Sequence, residues 1–279
     1  MKQHLNRFFQ RTALALGAFL LMALFSTAAL AAPADNNAMV RVVHASPVAG
    51  TVDVFVDGTA LLPNFQFGTV TDYVPLAAGS HKIQVAPAGK GAGAAVITQD
   101  VTVQAGMLYT VAAVGNGSSD LGLQAFVDNN TVTNTMAKVR VYHLSPNAGP
   151  VNIAAGDKTV ITGLTYKTAS DYLTVPAGAY TFNVTATTVN ATVPVPATLS
   201  ANMVYSVFAV GLYNGDPALK FVVGTAKGSV VAGMPNTGND PSIHTSNNET
   251  LPWIAGSVAA ILLISAAAAS RYAYTRRSN

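Results

Sequence analysis

Two short stretches of the chain place a serine two positions after a histidine and just before a proline: His44-Ala45-Ser46-Pro47 and His143-Leu144-Ser145-Pro146. On an extended strand, residues two apart share a face. Each pair could therefore offer the base and nucleophile of a hydrolase, with Asp72 or Asp171 orienting the ring. Geometry opposes this: two strand positions separate the side-chain roots by about 6.6 Å, and no G-x-S-x-G elbow projects the hydroxyl. A serine before proline commonly opens a turn. The expectation is strand-end hydrogen bonding and no catalytic residue.

Asp53 and Asp57 are oxygen ligands of the kind calcium takes. Four positions apart on a strand they lie about 13 Å from each other and cannot grip one ion together. The expectation is that Asp53 faces solvent and Asp57 opens the Asp57-Gly58 turn. A calcium site assembled with Asp120 or Asp128 stays open, and would be single because the second half of the chain lacks equivalents of both Asp53 and Asp57. No bound metal and no cofactor are expected. Phe65, Phe67, Tyr73, Tyr109, Tyr142, Tyr166, Tyr172 and Tyr205 could form a carbohydrate or peptide platform, but tyrosines of a sandwich usually pack in the core with the hydroxyl at its edge. Asn-x-Ser/Thr triplets begin at Asn116, Asn129, Asn183, Asn190 and Asn248 and matter only in a glycosylating secretory pathway.

The elements that must position these residues come from a repeat. VRVVHASP at 40–47 returns as VRVYHLSP at 139–146, and Asp72-Tyr73 with Ala78-Gly79 as Asp171-Tyr172 with Ala177-Gly178, both offset by 99. MLYTVAAVG at 107–115 returns as MVYSVFAVG at 203–211, offset by 96, so three residues are lost, most simply in the loop Gly89 to Gly93. Segments 40–44, 52–56, 81–85, 96–103 and 108–114 are short and β-branched, with turn signals at Asp57-Gly58, Ala78-Gly79, 104–106 and 115–117. These are strand signals. With no amphipathic helix between them they predict an all-β chain: two tandem antiparallel Ig-like β-sandwich domains of about seven strands each, over 38–133 and 137–226. There is no cysteine, so each core must hold without a disulfide staple.

The H-x-S-P strand end, the Val52 to Gly58 strand and turn, and the Asp72-Tyr73…Ala78-Gly79 turn are similar to the family catalogued as domain of unknown function 4397, exported bacterial repeats regarded as Ig-like. The second copy departs where V-D-V-F-V-D-G becomes Val151-Asn152-Ile153-Ala154-Ala155-Gly156-Asp157. The resemblance implies a fold and an exported location but no activity.

Both ends read as addresses. Residues 1–31 carry a cationic start, an apolar run and Ala29-Leu30-Ala31, the pattern of a secretory signal peptide, so the mature chain is expected to begin near Ala32. Residues 251–270 are uncharged and, as a helix, long enough at about 30 Å to cross a bilayer. Arg271, Arg276 and Arg277 follow in the tail 271–279, which the positive-inside rule places in the cytoplasm with the body outside. Between lies a flexible linker, 227–250, holding Met234-Pro235-Asn236-Thr237-Gly238. This looks like the L-P-x-T-G sorting signal of proteins that sortases join to bacterial cell walls. The resemblance implies a cut between Thr237 and Gly238, with a sortase and the wall as partners. Two departures stand against it: Met in the first position, and twelve residues before the apolar span.

The 279 residues are 50% hydrophobic and only 10% charged, which excludes disorder and coiled coil. The formal net charge is +3. Removing the six basic residues of the two ends leaves nine against twelve acids in 32–250, a net of −3, so nucleic-acid binding loses its electrostatic basis. The expected function is that of a non-enzymatic cell-surface or envelope protein serving adhesion, ligand binding or structure, with the membrane as partner and its extracellular ligand unnamed. Two alternatives are a surface hydrolase of extracellular polymers and a solute-binding subunit with an apolar pocket between the units.

Overall fold

The computed structural model describes residues 36–230. The expected signal peptide at 1–31, the Met234 to Gly238 motif, the apolar stretch 251–270 and the basic tail lie outside them. Among the described residues no helix is long and apolar enough to cross a membrane.

In the first repeat β1 (Asn37–His44), β4 (Val74–Ala77), β7 (Leu108–Val114) and β8 (Gly122–Asp128) form one sheet in the order β4-β1-β7-β8. A second sheet has the order β3-β2-β5-β6, from β2 (Val52–Val56), β3 (Thr59–Phe65), β5 (Gly79–Pro87) and β6 (Ile97–Val103). The second repeat copies both sheets. Its first holds β10 (Met136–His143), β13 (Thr168–Ala169), β14 (Leu173–Pro176), β17 (Met203–Val210) and β18 (Lys220–Lys227). Its second holds β11 (Val151–Ala155), β12 (Lys158–Leu164), β15 (Gly178–Ala186) and β16 (Ala191–Leu199). The expectation of wholly antiparallel sheets needs correction: β1 runs parallel to β7, and β10 to β17. Each pair joins the first strand of a repeat to a late one, so the intervening chain supplies the long crossover that parallel strands need.

The ladders locate the three lost residues. β15 follows β5 at an offset of 99, whereas β16 follows β6 at 96, so the shortening lies in the loop 88–96. Two residues return between β17 and β18, where Ser206 faces Gly224 as Thr110 faces Phe126. Position 128 of β8 is therefore matched by Ala226. The segment 227–250 is also not all linker: Lys227 ends β18, and β19 (Ser229–Val230) pairs parallel with β9 (Thr131–Val132), the strand that joins the repeats.

Burial explains the two kinds of strand. β6 reads ITQDVTV and buries only Ile97, Val101 and Val103, the alternation of a sheet with one wet face. β7 reads LYTVAAV and is buried at every position after Leu108. Tyr109, Val111 and Ala113 join the core between the two sheets of the first repeat, while Ala112 and Val114 join Val43, Ala45, Phe126, Tyr142, Leu144, Phe208 and Val210 in a separate cluster. That cluster draws on β1, β7 and β8 of one repeat and β10 and β17 of the other. The central sheets thus pack against each other and are covered on both faces.

Candidate functional site at the seam between the repeats

Strand alternation that sends Val43 and Ala112 into the seam sends Arg41 and Thr110 there too. Arg41 is 2% exposed and the carboxylate of Asp128 fully buried. A lone charge in such a place is costly, and what makes it tolerable is pairing with every lone pair and proton used. Arg41 donates through Nε to Thr110 Oγ1 (2.7 Å), and through Nη2 to Ser206 Oγ (2.6 Å), Asp128 Oδ2 (3.3 Å) and Tyr142 Oη (3.3 Å). Asp128 further accepts from Tyr73 Oη at 2.6 Å and from Thr110 Oγ1 and Tyr142 Oη. Arg140 Nη1 completes the set with Asp128 Oδ1 at 3.2 Å and the Val127 carbonyl at 2.6 Å. Burial pushes the Tyr73 and Tyr142 hydroxyls far above the ordinary phenol range, so they stay protonated and serve as donors.

The guanidinium of Arg41 also stacks near Tyr73 (4.7 Å), Phe208 (5.2 Å) and Tyr142 (5.8 Å). Gly224 makes this possible, because a Cβ there would stand 3.1 Å from Arg41 Nη1. Two further ties flank the seam: Lys167 Nζ to Asp120 Oδ1 at 2.6 Å, and Lys138 Nζ, which lies over its own repeat's Tyr172 ring at 4.3 Å, donating to the carbonyls of Asn129 (3.2 Å) and Thr131 (2.9 Å). Beside the network runs an open recess of about 600 Å³ with Met39, Tyr73, Met107, Asn129, Lys227 and Ser229 in its wall. Its lining is mixed, unlike the apolar pocket between units that a solute-binding subunit would need. The network holds no nucleophile beside a free base, and its chemistry is cohesion.

The residues singled out in the sequence lie elsewhere and do not converge. His44 and His143 are wholly buried, with Nε2 2.7 Å from the carbonyls of Gly50 and Gly149. Burial lowers the affinity of both rings for a second proton, the carbonyl bond opposing it. Ser46 and Ser145 donate instead to the carbonyls of Gly115 (2.9 Å) and Gly211 (2.6 Å). Those glycines are required: each has positive φ, and a Cβ would meet the Asp120 or Ala218 carbonyl oxygen at 2.5 or 2.4 Å. Nδ1 of both histidines has no hydrogen-bond partner, and Asp72 and Asp171 are exposed, so no acid orients either ring. Pro47 and Pro146 follow in the turns that the histidines brace.

Asp53 accepts from the amides of Asn64 and Gly89, both at 2.8 Å, and in the second copy Asn152 accepts from Gly163 in the same way. Asp57, at φ 50, begins the turn with Gly58 and accepts from His81 Nδ1 (2.7 Å) and the Lys82 amide (2.8 Å). Among the described residues no three acids or histidines are grouped to hold a metal ion, and Asp120 and Asp128 are occupied as described above. The aromatic platform does not form: Phe65, Tyr109 and Tyr142 are core residues, and the hydroxyls of Tyr109 and Tyr205 accept backbone amides at the sandwich edge. Sequence reasoning missed Arg41, Arg140, Thr110 and Ser206. The available signal was an arginine at the same place in both copies of an otherwise apolar strand, VRVVH and VRVYH.

The class these observations define is a tandem-repeat, all-β protein whose two sandwiches share a polar-centred seam. The family model described as domain of unknown function (DUF4397) matches residues 38–154 and 137–233, and the chain belongs to that family. No curated protein matches the chain. Among solved structures, a candidate cell adhesion protein from Bacteroides eggerthii aligns at 8% identity over 70% of this chain and 97% of its own, with a TM-score of 0.19. The fimbrial anchor protein Mfa2 from Porphyromonas gingivalis aligns at 11% identity over 67% and 95%, with a TM-score of 0.18.

Proposed function

We propose that this is a non-enzymatic protein of the bacterial cell surface, in which the paired sandwiches are one stiff body carried outside the membrane by the apolar segment 251–270. The observation that carries the reading is the use of the buried polar side chains for cohesion among the described residues: both His/Ser pairs brace turns, and the buried Arg/Asp/Tyr network ties the repeats together. The sequence supports the location through the export pattern at 1–31 and the basic residues after the apolar span. The body then serves adhesion, ligand binding or envelope structure rather than turnover. Attachment to the wall through Thr237, by sortase, is the alternative form of the tether.

The test is protease treatment of intact cells producing the full chain, followed by fractionation. Residues 36–230 are expected to be cut or shed from outside, with the remaining stub in the membrane. Release by muramidase but not by detergent would favour the wall linkage. Recovery of the uncut chain, residues 1–31 included, from the cytosol overturns the proposal.

A further inference from the structure

The two copies can be compared position by position, and among the differences between their cores one bears on an open cavity. Between the sheets of the first repeat lies a cavity of about 80 Å³ with a purely apolar lining, including Val54, Ile83, Val85, Val101 and Val111. It opens between the edge strands β3 and β4, where Leu61 and Val74 form an apolar rim and are 45% and 40% exposed. In the second repeat the ladder puts Phe182 at the place of Ile83 and Tyr180 at that of His81. Their rings stack at 5.7 Å, and Phe182 packs against the core on both of its sides. The rim residues there, Val160 and Leu173, are half-buried against that core. One copy places a phenyl ring where the other has Ile83 beside its open cavity.

We infer that the cavity of the first sandwich takes the end of a linear hydrocarbon chain, entering between Leu61 and Val74. An apolar void of this kind stays dry and gains contacts only from an apolar guest. Its volume is about half that of a cavity able to hold a benzene ring, about 150 Å³, which suits the last few carbons of an alkyl or acyl tail. The outer carbons then lie along the rim, whose exposed Leu61 and Val74 they cover. The site belongs to the first sandwich wherever the chain is displayed. The same tail could come from a free fatty acid or from a phospholipid.

The experiment is photolabelling of the full chain in its membranes with a fatty acid bearing a terminal diazirine, and separately with a phosphatidylcholine bearing the same acyl group, with adducts mapped by mass spectrometry. Adducts are expected on the first-repeat peptides holding Leu61 and Ile83 and not on their second-repeat equivalents. Ile83→Phe recreates that phenyl ring and is expected to lower the yield about tenfold, the affinity carried by burying about two methylene groups. Leu61→Lys alters only the exposed rim, and is expected to lower the yield without moving the melting temperature, so misfolding of the core variant cannot mimic the result. Labelling by the acid alone assigns a free fatty acid, and labelling by the phospholipid a bilayer source. Absence of adduct with either probe, or adduct unchanged in both variants, overturns the inference.

Discussion

Replacing Asp128 by alanine removes the single acid on which Arg41 and Arg140 converge. In the folded chain this leaves Arg41, 2% exposed, as a buried cation with only hydroxyl acceptors, and strips the Tyr73, Tyr142 and Thr110 hydroxyls of their shared partner. Breaking a buried ion pair by deleting one side costs about 3–5 kcal/mol, a large share of the roughly 5–15 kcal/mol that holds a domain together. Asp120→Ala, which breaks an exposed pair with Lys167, should cost about 0–1 kcal/mol. The double variant Arg41→Met/Asp128→Leu should recover only part of the loss: it removes the uncompensated cation, but the Tyr73, Tyr142 and Thr110 hydroxyls and Arg140 still lack the acceptor they had. Urea titration followed by far-ultraviolet circular dichroism for cohesion of the sheets, and by near-ultraviolet dichroism for Tyr142 in the seam, measures all four proteins. Asp128→Ala should also split one transition into two as the repeats uncouple. A loss no larger than that of Asp120→Ala, with the transition still single, would show that the seam does not depend on its charges.

Three further outcomes follow from the same geometry. Because burial depresses the proton affinity of His44 and His143, their stabilising effect is complete above the unfolded value near pH 6.5 and is lost below it. Each adds about 1.4 kcal/mol per pH unit to the fall, and His44→Gln, whose amide can still reach Gly50, should flatten the acid limb of the melting profile. His81 behaves oppositely: its bond to Asp57 holds its affinity above the ordinary value, so its contribution is present below about pH 6.5 and disappears as pH rises through the folded value. Titration of the ring by proton NMR should show the upward displacement shrink in Asp57→Asn, the bond to the Ala77 carbonyl keeping a part of it. Gly211→Ala forces both a positive φ and a collision with the Ala218 carbonyl oxygen at 2.4 Å. It should melt well below Gly224→Ala, where φ is not in the left-handed region and the nearest contact, Arg41 Nη1 at 3.1 Å, is tight without being a collision with backbone.

Much of this architecture was legible because a duplicated sequence states its pattern twice. The strands at 40–44, 52–56, 81–85 and 108–114, the turns, and the loop that lost three residues are where spacing and β-branching placed them. β3, β4 and β8 were not recognised: β3 and β4 face solvent at most positions, β8 buries only Phe126 and Asp128, and little hydrophobic period remains to detect. The parallel pairing of β1 with β7 is a fact of long-range topology that a local pattern does not carry. The site was harder to find than the fold. The His/Ser pairs drew attention by residue type, yet buried strand ends need polar side chains to satisfy turn carbonyls as much as enzymes need them for catalysis. Arg41 and Asp128 lie 87 positions apart and meet through the strand order β1-β7-β8, while only the stacking of one repeat on the other adds Tyr142, Arg140 and Ser206 to them. β7, LYTVAAV, carries a trace of that stacking, being apolar on both faces except at Thr110.

The acid at position 128 has no counterpart in the second copy, where the ladder puts Ala226, and the bulk of Phe126 meets its opposite in Gly224. The duplication has therefore diverged into a lock and a key. Two second copies brought face to face would bury paired arginines with no acid between them, and two first copies would drive a phenyl ring into the space a guanidinium needs. Each half accepts only the other kind, which closes the seam against like-with-like stacking of halves.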